Sequence, residues 1–211
     1  MAVLDSLRLL QLLEYLQSDL YTRGLAATGF VPAADADVFK TLDAQQSAHI
    51  GTLSTLITTR LGVPVVKPTF DFTGKGAVPG FAFAAGQYET FRRLAQAFED
   101  LGVRAYKGQV QALQGDKQAL TYVLAMHSVE GRHAAEVRRI RGRKGWITGS
   151  SADDLPPFAQ AIYAGEEAAT QGSVNVGSAL ASNGGVDAAT QAFDEPLTTA
   201  QVTAIITPFI A

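Results

Sequence analysis

Five residues in this chain have side chains suited to holding a metal ion: Glu14, His49, Glu99, Glu130 and His133. Glu130 and His133 form a Glu-x-x-His pair. On a helix, residues three apart share a face, so this pair can direct a carboxylate oxygen and an imidazole nitrogen at one ion. The chain has no cysteine. Disulfides, thiolate nucleophiles, iron–sulfur clusters and thiolate zinc sites are therefore excluded, and any metal must be held by His, Asp or Glu.

The spacing of these residues repeats. Glu14 and Glu99 are 85 residues apart, whereas His49 and His133, and Gln46 and Glu130, are each separated by 84; Tyr21 and Tyr106 each follow their glutamate by seven. A helix pair used twice would face two similar half-sites toward each other, which is what a dinuclear centre needs. Singly, each of these residues has an ordinary reading. A glutamate beside an apolar stripe usually reaches solvent, and Glu-x-x-His alone is common.

Four long helical patterns can carry these groups. The first runs from an Asp5 or Ser6 cap through Leu9, Leu10, Leu13, Leu16 and Leu20 to a stop at Gly24, and carries Glu14 on or beside the apolar stripe. The second starts near Asp35 or Asp37 and ends before Gly62 and Pro64; His49 falls in line with Leu42, Leu53 and Leu56, after a turn bearing Gln45 and Gln46. Residues 63–84, with three prolines, three glycines and several phenylalanines, read as a long, partly buried crossover. The third pattern spans about 85–114 with Glu99 beside Ala95, Gly102, Val103 and Tyr106, and the fourth runs from Asp116 to Gly142 with Glu130 and His133 on the face of Val123, Met126 and Val137. After Trp146 the chain is richer in Gly and Ala. Short helices are expected at 156–169, 187–194 and 198–208, the last opened by a Thr198-x-x-Gln201 capping box, with 174–185 as loop. The expected organisation is a bundle over 1–146 and an extension over 147–211 packed along it within one domain.

Composition limits the partners. With 211 residues, 47% hydrophobic residues and a net charge of −3, the chain lacks the basic face that nucleic acid or anionic lipid would require. Mean hydropathy is +0.10, yet no apolar run reaches the ~18 residues of a membrane span. Met1–Asp5 has no basic region of the kind that opens a signal peptide. The expectation is a cytoplasmic protein, or an exported one from which a signal sequence has been removed. Arg138, Arg139, Arg141, Arg143 and Lys144 cluster at the end of the fourth helix, where cations suit the helix dipole and stay solvated. Gly74-Lys75-Gly76 lacks the frame of a phosphate loop.

The order Glu, His, Glu, Glu-x-x-His over four helices with a crossover resembles the ferritin-like superfamily. Within it the chain is most similar to the ferritin-like domain family that includes bacterial relatives of plant desiccation-related proteins. The resemblance rests on Leu13-Glu14-Tyr15-Leu16, Ser47-Ala48-His49-Ile50, Phe98-Glu99-Asp100-Leu101-Gly102-Val103 and Val129-Glu130-Gly131-Arg132-His133-Ala134; the tail adds Ala192-Phe193-Asp194-Glu195-Pro196-Leu197 and Pro208-Phe209. It implies an all-α four-helix bundle with a long crossover between helices 2 and 3 and a helical, loop-rich C-terminal extension. It also implies a metal-dependent oxidoreductase in which Glu14, His49, Glu99, Glu130 and His133 bind iron or manganese. Ferrous ion or a reactive oxygen species would be the substrate, and dioxygen or peroxide the electron acceptor.

The chain departs from this pattern at Gln46, where the dimetal pattern has glutamate. An amide offers a neutral carbonyl oxygen in place of a bridging carboxylate, leaving Glu14, Glu99 and Glu130 one negative charge short of balancing two divalent ions. The deficit predicts a second ion that binds weakly, recruits hydroxide as a bridge, or is absent, and it makes Gln46 a weak ligand at best. Asp43 points away from His49 and is an awkward substitute. A non-catalytic stress or desiccation-associated protein with a degenerate centre is the alternative reading. Tyr21, Tyr106 and His127 are candidates for hydrogen bonding around the ligands; core roles for the two tyrosines are the ordinary reading. Oxygen and imidazole ligands suit zinc as well as iron and manganese. The sequence leaves homo-oligomerisation open.

Overall fold

In the computed structural model, which describes residues 2–211, four long helices carry the architecture: α1 (Ala2–Ala26), α2 (Ala33–Thr58), α3 (Tyr88–Leu113) and α4 (Lys117–Ile140). Short links join α1 to α2 and α3 to α4, making two hairpins, and α1 packs on α3 across the middle. Residues 59–87 form the expected crossover, interrupted by a 3-10 turn at Gly74–Gly76. Beyond α4 come a 3-10 turn (Pro157–Ile162), a minimal hairpin of β1 (Thr170–Gln171) with β2 (Val174–Asn175), and three short helices: α5 (Val176–Ala179), α6 (Gly185–Ala192) and α7 (Thr199–Ile206). The architecture is the all-α bundle expected of the sequence.

The inner helices differ from the outer ones in how far burial extends around them. On α2 and α4 it is confined to one stripe, Phe39, Leu42, Gln46, His49 and Leu53 on α2 and Val123, Met126, Glu130, His133 and Val137 on α4. On α1 and α3 it extends nearly all round. The crossover and the C-terminal residues supply the additional cover. Phe72 and Phe209 pack on Phe98 with ring centroids 6.3 and 5.1 Å away, and Arg23 donates to the Phe70 carbonyl at 3.0 Å. Arg104, buried on α3, donates to the carbonyls of Ile162, Ala164 and Glu195, so one guanidinium ties three points of the tail to the bundle.

Several expected boundaries are corrected. α1 begins at Ala2, and Ser6, instead of capping it, lies inside and donates to Gln109 Oε1 at 2.9 Å. Gly24 does not stop α1; a Cβ there would come within 2.6 Å of the Phe91 ring, so glycine serves helix packing. α2 begins after Pro32, with no side-chain cap, while Asp35 accepts from the Tyr88 hydroxyl at 2.6 Å. The 174–185 segment contains β2, α5 and a 3-10 turn, whereas only 157–162 of the expected 156–169 helix forms, as a 3-10 helix. Asp116 does cap α4, accepting from the Ala119 amide at 3.0 Å, and the Thr198–Gln201 capping box opens α7.

The basic cluster is not simply solvated. Arg138 is buried and forms a fork with Asp100, 3.0 Å from Nε to Oδ1 and 2.6 Å from Nη2 to Oδ2, and Tyr163 donates to the same carboxylate at 2.5 Å. The Arg141 side chain is also covered and pairs with Asp154. Removing one member of a buried pair leaves the other charge uncompensated. Arg138→Ala is therefore expected to cost about 3–5 kcal/mol of stability by urea unfolding, and Tyr163→Phe about 1–3 kcal/mol; a loss below about 1 kcal/mol for Arg138→Ala would contradict the pairing.

Candidate metal centre

Each long helix contributes to one interior cluster. Glu14 on α1, Gln46 and His49 on α2, Glu99 on α3, and Glu130 and His133 on α4 are all buried, the three carboxylates completely. The 3.6-residue period places these positions on the inward stripes of their helices. Two groups can each hold an ion: Glu14, His49 and Glu130 form one, and Glu99, Glu130 and His133 the other, with candidate ligand atoms within 4.8 Å of one another in each. Glu130 belongs to both.

Both imidazoles turn Nδ1 inward. His49 Nδ1 is 3.3 Å from Glu14 Oε2 and 3.2 Å from Glu130 Oε1. His133 Nδ1 is 3.4 Å from Glu130 Oε1 and 3.6 Å from Glu99 Oε2, and makes no hydrogen bond although it is buried. Metal–ligand bonds of about 2.1 Å put neighbouring ligand atoms about 3 Å apart, so this set of oxygens and nitrogens fits a cation. His133 Nε2 lies 2.7 Å from Gln45 Oε1. A carbonyl oxygen only accepts, so Nε2 carries a proton, and Nδ1 is the atom a metal would take in exchange for the second one.

The tyrosines take the sharper of their two roles. Tyr21 on α1 donates to Glu99 Oε1 on α3, and Tyr106 on α3 donates to Glu14 Oε1 on α1. These crossed bonds hold each carboxylate so that its second oxygen faces a histidine. Asp43 accepts from Ser18 at 2.7 Å and from Thr22, tying α2 to α1 and not reaching the cluster. His127 is not brought to the cluster: it lines a surface groove with Lys107, Phe193 and Asp194, and its Nε2 has no partner.

Gln17 has a role the sequence reading missed. Its buried amide donates at 3.2 Å to both Glu99 Oε2 and Glu130 Oε2, and at 3.1 Å to the Phe98 carbonyl. The available signal was a polar residue one turn from Glu14 within a leucine-rich stripe. Gly102, the residue 85 positions later, leaves the room this requires, because a Cβ there would lie 2.9 Å from Glu130 Oε2 and 3.0 Å from Gln17 Nε2. Gln45 was visible only as a polar neighbour of Gln46.

Gln46 lies between the half-sites. One end of its amide is 2.7 Å from Glu14 Oε2, 3.2 Å from His49 Nδ1 and 3.3 Å from Glu130 Oε1. The other end is 3.5 Å from Glu99 Oε1 and 3.1 Å from Gln17 Oε1. An amide has donors at one end only. With the nitrogen toward Glu14 and Glu130, that side is satisfied and the carbonyl faces oxygens on the Glu99 side.

Protons hold the cluster together when no metal does. Burial, followed by repulsion from Glu130, pushes the Glu14 and Glu99 carboxyls well above the usual range. Glu130 is held low, because its close approach to His133 and His49 outweighs its burial. Burial alone would lower both histidines, but the carboxylates that face them, Glu130 and Glu14 for His49 and Glu130 and Glu99 for His133, raise His49 to about 9 and His133 to about 10.

A sequence model of the ferritin-like domain family matches residues 2–143, which include all four long helices and every member of the cluster. No curated protein matches the chain. No helix among the described residues is long and apolar enough to cross a membrane.

Four of the cluster's groups bind protons more tightly folded than unfolded, so unfolding releases protons once pH exceeds the unfolded carboxyl range, and stability falls as pH rises. The contribution of His49 and His133 is complete below about pH 6.5 and is lost as pH rises through about 9 and 10. In chelator, the urea midpoint should therefore decline from about pH 6 to about pH 10; a midpoint that climbs over that interval contradicts this charge arrangement.

Proposed function

The chain belongs to the ferritin-like domain family, and from that premise we propose that it is a metal-binding protein whose ions, iron or manganese, perform redox chemistry inside the bundle. The observation that carries this reading is the pair of buried carboxylate–imidazole groups sharing Glu130, with the unpartnered His133 Nδ1 aimed between two carboxylate oxygens. Glu14, His49, Glu99, Glu130 and His133 would hold the metal. Iron or manganese bound there would supply a one-electron couple for oxidising ferrous ion or removing a reactive oxygen species, with dioxygen or peroxide as acceptor.

The chain's own residues contribute charge, orientation and cover. Three buried carboxylates are costly without neutralisation, and a cation replaces the protons that otherwise occupy the cluster. Tyr21, Tyr106, Gln17 and Gln45 hold the ligands in place, which is what limits reorganisation when an ion enters. The two histidines are the least covered members, 8% and 4% exposed against none for the glutamates. Gln45 lies outside His133 on the surface, so the seam between α2 and α4 is the side of the cluster nearest solvent.

Gln46 favours a second reading, a stress or desiccation-associated protein that keeps the bundle without catalysis. Ferrous ion added in air to the purified chain separates the two. The redox reading expects a near-ultraviolet absorbance that grows with time and at least one metal retained per chain, both lost in Glu130→Ala; a flat trace with less than one metal per chain supports the second reading. Because His49 and His133 hold protons at neutral pH, uptake should release protons and weaken as pH falls from about 9 to about 6. Calorimetry in buffers of different ionisation enthalpy reads this directly. Uptake that is independent of pH would contradict ligation by these histidines.

A further inference from the structure

The internal repeat makes the two half-sites comparable residue by residue, and three differences between them act in the same direction. Gln17 clamps Glu99 and Glu130 with one amide nitrogen, whereas the equivalent position, 85 residues on, is Gly102, which has no side chain to clamp Glu14. Gln45 accepts from His133 Nε2 and fixes its tautomer, whereas the equivalent position, 84 residues on, is Val129, which cannot hydrogen-bond His49 through its side chain. Gln46 replaces the second bridging carboxylate; a carbonyl at its inner end would face the oxygens Glu14 Oε2, 2.7 Å away, and Glu130 Oε1, so without a cation that end is satisfied by the amide nitrogen, which meets with its own hydrogens the oxygens that a cation would need. The orphaned buried nitrogen, His133 Nδ1, lies in the other half-site.

Building on the metal-binding reading above, we propose that the centre takes one divalent cation tightly, in the half-site of Glu99, Glu130 and His133, while the Gln46 amide closes the half-site of Glu14 and His49. Positioning by Gln17 and Gln45 lowers the reorganisation needed on the favoured side. On the other side an incoming ion must first displace a hydrogen-bonded amide nitrogen and turn the carbonyl inward. Gln46 has one carbonyl to offer, so it cannot serve both sides as a bridging carboxylate does. The pseudo-symmetric frame is thereby made unequal, with a high-affinity position and a closed one.

The chain has three histidines, which makes the test direct. Nitrogen-labelled histidine and Cd2+ enriched in an NMR-active isotope report ligation as scalar coupling between the metal and the ring nitrogen. At one equivalent, coupling is expected on His133 Nδ1 and not on His49 Nδ1, and further Cd2+ leaves His49 uncoupled. Gln46→Glu should bring in a second ion and coupling on His49. Gln45→Ala should weaken the first ion about tenfold. Coupling on His49 first, or on both rings at one equivalent, overturns the proposal but leaves metal binding intact. Failure to retain Cd2+, Fe2+ or Mn2+, or retention without coupling to either ring, overturns the metal-binding reading together with this one.

Discussion

Neutralising negative charge in the interior is the constraint on which the rest of the structure depends. Glu14, Glu99 and Glu130 are fully buried within one bundle, where a carboxylate without compensation would be too costly to keep. The fold meets each of them with donors: Tyr106 for Glu14, Tyr21 and Gln17 for Glu99, Gln17 and the two histidines for Glu130. Without a metal, protons on His49 and His133, and the raised carboxyls of Glu14 and Glu99, complete the balance. A polar core of this kind is stable only as a satisfied whole, which is why so many residues around it have a single acceptable orientation.

That requirement accounts for the unequal roles of the helices. The crossed Tyr21–Glu99 and Tyr106–Glu14 bonds join α1 to α3 and make them a common base, and the crossover and the C-terminal residues bury the outer sides of that base. α2 and α4 then bring the histidines in from the opposite side on narrow buried stripes. Polar ties elsewhere follow the same logic. Arg138 is paired with Asp100 on α3, to which Tyr163 of the tail also donates, and Arg104 is engaged by Glu166 and three carbonyls of the tail. They hold the extension against α3 without entering the metal cluster.

The half-sites are alike in plan and different in detail. Ligand positions repeat, yet the amides around them do not: Gln17 has no counterpart at Gly102, and Gln45 none at Val129. Such differences decide how much an ion must rearrange to bind, since the orienting partners of a ligand contribute to affinity almost as the ligand does.

Much of the site was legible before any coordinate. Five ligand candidates and their two tyrosine partners stood out because helical periodicity puts them on inward stripes and because the 84- and 85-residue repeat is a property of the chain alone. Local signals also carried Asp116 and Thr198 as caps, since a cap depends on its own next turn. The same local logic failed at Ser6 and Gly24, whose roles are set by Gln109 and Phe91 on α3, and at Arg138, whose partner Asp100 is on that helix too. Gln17 and Gln45 were missed because a glutamine has no periodic signature; it matters only through the atoms that tertiary packing places within 3.2 Å or less of its amide. The sequence by itself determined which groups point inward and that they come in two related sets. Tertiary structure alone decided which neighbour satisfies each oxygen, because hydrogen bonds between helices depend on distances that no spacing along one chain specifies.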